Sequence, residues 1–91
     1  SAITPGPIAP ARELLGEMLL RLKQPAEALA EFQVTLKKEP NRFLALYGAG
    51  KAAEATKQRS KARGYYRRIV EICADAGNER PELQYARKMA K

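Results

Sequence analysis

The sequence predicts an all-α fold, five helices joined by short loops and stacked as antiparallel hairpins into an α-solenoid. Three observations lead there. Leu, Ala, Glu, Lys and Arg dominate, β-branched residues are few and Trp is absent, which is a helical composition. Prolines and glycines punctuate stretches whose apolar residues recur at helical spacing. The chain also resembles itself at a fixed offset of 34 residues, the mark of a repeat array.

The elements follow in order. Residues 1–10, SAITPGPIAP, hold three of the six prolines and read as an extended linker or chain end. A first helix is expected from about Ala11 to Lys23, with Leu15, Met18, Leu19 and Leu22 on one face. Gln24-Pro25 breaks it, and Pro25 is placed to open a second helix that runs to about Lys38 through Ala28, Leu29, Phe32 and Leu36. Pro40-Asn41 stops that helix and can cap a third, about Arg42–Thr56, with Leu46, Ala49, Gly50 and Ala53 at helical spacing. Ser60 is the expected N-cap of a fourth, built on Ala62, Tyr65, Tyr66, Ile69 and Cys73 and closed by Gly77. Pro81 opens a short fifth helix through Met89, carrying Leu83, Tyr85 and Ala86.

The offset matches small with small and aromatic with aromatic. It relates Gly16 to Gly50, Ala28 to Ala62, Phe32 to Tyr66, Leu36 to Val70, and Lys23-Gln24 to Lys57-Gln58. On these residues the chain resembles the tetratricopeptide repeat family. Leu15-Gly16, Leu19, Ala28-x3-Phe32 and Pro40 stand at the family's spacing, as do Gly50, Ala53, Ala62 and Tyr66. Arg12 and Leu46 replace the leading Trp, Leu19 and Ala53 replace the Tyr, and Ala74 replaces the second closing Pro. The resemblance covers residues 9–76. It implies one repeat over 11–42, a second over 43–76 and a capping helix over 77–91.

It also implies a role for Gly16, which interrupts ELLGEMLLRL at a helix-propensity cost of about 1 kcal/mol. Gly16 and Ala28 would sit where the helices of a hairpin cross, and Phe32 would fill the wedge before the next helix. Leu15, Gly16, Ala28, Phe32, Gly50, Ala62 and Tyr66 are the expected packing residues.

Catalytic motifs fail on inspection. The chain has no His, so the commonest general base and transition-metal ligand are missing. Cys73 is the sole cysteine, which rules out an internal disulfide, and it reads as a buried structural residue. Gly48-Ala49-Gly50-Lys51 looks like part of a phosphate loop, but that loop needs Gly at Ala45, Ser or Thr at Ala52, and a preceding strand. Glu13 and Glu17 lie one turn apart with nothing to complete an acid–base site. A non-enzyme without cofactor or metal is expected. No uncharged apolar run approaches the roughly 18 residues of a membrane span. The Pro-rich opening without an initiator Met reads as a segment of a larger repeat protein, expected to be its C-terminal part.

Charge is uneven. Residues 1–41 hold five of the 17 basic and five of the 10 acidic side chains, so the whole of the net +7 sits in residues 42–91. Lys57, Arg59, Lys61, Arg63, Arg67 and Arg68 follow one another without an acid. They form either a patch for nucleic acid or another acidic surface, or a solvated outer face, and we favour the outer face. The resemblance implies a protein–protein interaction module whose first helices line a concave groove for a peptide or partner helix. The groove residues would be Glu13, Glu17, Leu20, Arg21, Leu44, Tyr47, Lys51 and Glu54, with Tyr85 and Lys88 from the last helix. The Lys and Asn clamp of the chaperone-tail-binding subtype is absent, since Glu13, Glu17, Gly48, Asn78 and Glu82 stand at its positions. A purely structural or self-associating end of a longer array is the remaining alternative.

Overall fold

The structure, a computed structural model, describes residues 8–74 and 80–91. Over these residues the chain forms α1 (Ala9–Arg21), α2 (Pro25–Lys38), α3 (Phe43–Ala55), α4 (Arg59–Ile72) and α5 (Pro81–Met89). Helices α1, α2 and α5 carry Pro in their first turn, where its missing N–H would have no partner anyway. For that reason α1 begins at Ala9 and runs through Pro10, two residues before its expected start. Residues 1–7 of the expected linker lie outside the described residues.

Two expected caps are corrected. Gln58 holds the N-cap position of α4, its amide donating to Thr56 Oγ1 at 2.7 Å, and Ser60 is exposed in the first turn. Arg42 precedes α3, while Asn41 Oδ1 accepts from Arg68 Nε and Nη2 at 2.9 and 2.6 Å and so ties α4 back to that loop. Helix α4 ends at Ile72. Gly77, its expected closing residue, lies outside the described residues.

The repeated Lys-Gln dipeptide makes the same turn twice. Lys23 and Lys57 both take left-handed backbone, with φ of 61° and 66°. Gln24 N–H donates to Leu19 O and Lys23 N–H to Leu20 O; Gln58 and Lys57 repeat the pattern on Ala53 O and Glu54 O. These paired bonds around a left-handed residue close a helix and turn the chain back on itself.

Each helix packs on the next, and α1 also reaches α3. The result is elongated, 45 × 28 × 19 Å. Helix α3 lies at its centre because its small residues admit neighbours on both sides. Ala45, Ala49 and Ala52 join Ala28, Leu29 and Phe32 of α2 in one cluster. Leu46 and Ala53 join Ala62, Tyr66 and Ile69 of α4 and Leu83 and Ala86 of α5 in another. The glycines are required by close approach: a Cβ on Gly16 would lie 2.6 Å from Phe32 Cζ, and one on Gly50 2.6 Å from Tyr66 Cε1.

Helix α1 differs from expectation. Leu15, Met18 and Leu22 are 39%, 48% and 64% exposed, and α1 packs instead through Gly16, Leu19 and Leu20. Offset by 34, Leu15 and Met18 correspond to Ala49 and Ala52, which are buried because α2 covers them. Among the described residues no helix covers the same face of α1.

Candidate partner-binding site

Helix α3 presents Tyr47, Lys51 and Glu54 at i, i+4 and i+7, a spacing that keeps them on one face. Helix α5 brings Tyr85 against them, and Tyr66 of α4 rises from the core beneath. The Glu54 carboxylate accepts from the Tyr66 hydroxyl and, at 2.9 and 3.0 Å, from the Tyr85 hydroxyl. The three rings meet edge to face, with centroids 6.3 Å apart for Tyr47–Tyr66, 6.2 Å for Tyr47–Tyr85 and 5.6 Å for Tyr66–Tyr85. Lys51 Nζ sits 4.4 Å from the Tyr85 ring centroid, within cation–π range.

This arrangement holds protons on the phenols. Burial, then the hydrogen bond to Glu54, pushes the Tyr85 phenol up to about 12 and that of Tyr66 higher still. Tyr47 is raised chiefly by burial, then by the charges of Glu82 and Glu54. At neutral pH the rings are neutral and fixed by several partners, and Tyr47 and Tyr85 keep part of their surface exposed. Rigid aromatic surface of this kind binds at low entropic cost.

Of the ten residues expected in a groove, Tyr47, Lys51, Glu54 and Tyr85 form this one cluster, and Lys88 is exposed on α5. Leu44 stands exposed at the start of α3, Glu17 is half-buried on α1, and Arg21 is exposed in its last turn. Two are absorbed by packing. Leu20 packs on the α2–α3 cluster. Glu13 is only 5% exposed and accepts from Arg42 Nε at 2.5 Å and Nη2 at 3.2 Å, a two-pronged pair that raises the Arg42 pKa. Leu15, expected among the packing residues, is largely exposed as described above.

The basic stretch divides as well. Arg67 Nε donates to Ala90 O at 2.9 Å and Arg68 binds Asn41 and Glu71, so both tie elements together. Lys57, Arg59 and Arg63 instead border a cavity of about 390 Å³ beside Glu54, Tyr66 and Met89. Reading the sequence missed that cavity, although the change from Leu20 and Leu29 to Glu54 and Arg63 at the repeat offset was a signal for it.

An elongated stack of antiparallel helix pairs, each packed on the next, is the architecture of a helical-repeat protein. Residues 44–76, which span α3 from its second residue through α4, match the tetratricopeptide repeat model, and this match supports assignment to the tetratricopeptide repeat family. That family typically provides non-enzymatic scaffolds for protein–protein interaction. No curated protein and no solved structure matches the chain. Among the described residues no helix is long and apolar enough to cross a membrane.

Proposed function

We propose that the chain binds a peptide or partner helix across the surface formed by Tyr47, Lys51, Glu54 and Tyr85, as the C-terminal part of a larger repeat protein. The supporting observation is the tyrosine cluster itself: three mutually packed rings, two of them locked onto Glu54, with Lys51 over the Tyr85 ring. Partly exposed aromatics held in one geometry are the usual anchors of a binding surface. The charges of Lys51 and Glu54 suit a ligand with an apolar anchor between charged residues. Helix α5 serves as the cap in this reading, because Leu83 and Ala86 are buried while Gln84, Arg87, Lys88 and Lys91 are exposed. Selection of a displayed library of random short peptides on the full chain tests the proposal. Enriched peptides should shift the backbone amide resonances of α3 and α5; shifts confined to α1 and α2 would refute it.

A second reading, an array that continues before α1, is favoured by the exposed face of Leu15, Met18 and Leu22. Sedimentation of a chain extended at its N-terminus tests it: a covered face should abolish any self-association shown by residues 1–91.

A further inference from the structure

We propose that the cavity at the α3–α4 turn binds a phosphomonoester group. The argument begins with the chain's own internal control. The α1–α2 and α3–α4 turns share one backbone, yet the residues around them differ in one direction. Leu20, Pro25, Leu29 and Phe32 of the first hairpin become Glu54, Arg59, Arg63 and Tyr66 in the second. In the first hairpin the space is filled: Leu29 is 6% exposed and Leu20 packs beside it. In the second, Arg63 is exposed and an open cavity of about 390 Å³ stands in place of the packed leucine. The fold tolerates apolar packing here, so polar residues are not a requirement of the hairpin.

Charge narrows the ligand. Lys57, Arg59 and Arg63 border the cavity without an ion pair to any described residue, whereas Arg12, Arg42 and Arg68 all have carboxylate partners. Glu54 is the cavity's one acid, and its oxygens are already engaged by two tyrosine hydroxyls. Three cations and one anion leave a surplus of two positive charges. Helix α4 begins at this place with no acid in its first turn, so the positive end of its dipole adds to the same field. A carboxylate would neutralise half of the surplus. A phosphomonoester carries roughly −1.5 to −2 charges at pH 7 and offers oxygens that guanidinium forks bind in pairs. Met89 gives the ester's carbon an apolar wall. That the group arrives on a phosphorylated protein partner rests on the function proposed above; the phosphate chemistry does not.

Titration of the full chain with free phosphoserine, followed by amide resonances, tests the assignment. Shifts should centre on residues 57–63. Arg59→Gln and Arg63→Gln should each weaken binding about tenfold, the loss typical of one hydrogen bond to a charged group. Lys23→Gln, at the counterpart turn, and Arg67→Gln should bind as the parent does. Arg63→Leu, which restores the residue of the first hairpin, should abolish binding without lowering the melting temperature. Tyr47→Ala, aimed at the peptide surface, should leave phosphoserine binding intact, so the two proposals fail separately. No shift at millimolar phosphoserine overturns the inference. So does equal binding of free glutamate, equal binding by both arginine variants, or residue-dependent binding of single-stranded RNA without any of phosphoserine.

Discussion

The ring of Phe32 fills the space that a Cβ on Gly16 would need, with Cζ, Cε1 and Cε2 all within 2.9 Å of that position. The same ring blocks a Cβ on Gly48 of α3, so one buried side chain spaces three helices.

Any side chain at either glycine must push Phe32 out of a packed core. Gly16→Leu and Gly48→Ala should each destabilise the chain by about 1–3 kcal/mol, the usual cost of overpacking. Lys37→Ala, on an exposed position, should stay within about 0.5 kcal/mol. Denaturant midpoints of the three variants decide the matter, and an unchanged midpoint for Gly48→Ala would refute the wedge.

The Glu13–Arg42 pair joins α1 to the loop before α3 and is the chain's most enclosed ion pair among those of the described residues. Arg42→Ala strands a buried carboxylate and should lower stability clearly more than Arg68→Ala, whose pairs lie on the surface. The Arg42 effect should also persist in high salt, where exposed pairs are screened. Thermal melts at low and high ionic strength compare the two variants.

Alkaline pH should probe the tyrosine cluster. Folding raises the phenol pKa values of Tyr66 and Tyr85 above the ordinary value of about 10, so the native chain holds these protons more tightly than the unfolded one. The contribution of Tyr85 is therefore whole below about pH 10 and is lost as pH climbs through about 12, and that of Tyr66 persists to higher pH. Tyrosinate absorbance should show Tyr66 resisting ionisation until the chain unfolds. Glu54→Gln removes an acceptor and a negative charge and should bring Tyr85 down toward its ordinary range.

Helix α5 covers Tyr66 and Ile69 through Leu83 and Ala86. Removal of residues 79–91 should lower the melting temperature and drive association, because large apolar side chains would then face water. Sedimentation and thermal melting of the two lengths measure this. A truncated monomer of unchanged stability would show that α5 is not a cap.

Helix existence and order were legible because proline position and apolar period act locally, within a turn or two of chain. Gly16, Phe32 and Tyr66 were legible through the repeat offset. The fate of Leu15 and Met18 was not, since periodicity marks a helix's apolar face without saying whether a neighbour covers it. Glu13 reads in sequence like any helix-surface acid, and only the approach of Arg42, 29 residues away, makes it a buried partner. Gly48 looked like a loop fragment because its reason lies in the preceding hairpin. Tyr47, Lys51, Glu54 and Tyr85 were named together through the repeat resemblance, although no local pattern states that α5 folds back beside α3 to join them.

Binding of a library-selected peptide to two variants tests the central claim most directly. Tyr47→Ala should abolish binding while leaving the fold intact. Combined reversal of Lys57, Arg59, Lys61 and Arg63 to Glu should leave binding of that unphosphorylated peptide nearly unchanged. Retained binding by Tyr47→Ala together with loss in the reversed variant would contradict the account and move the protein's interaction surface to the basic face of α4.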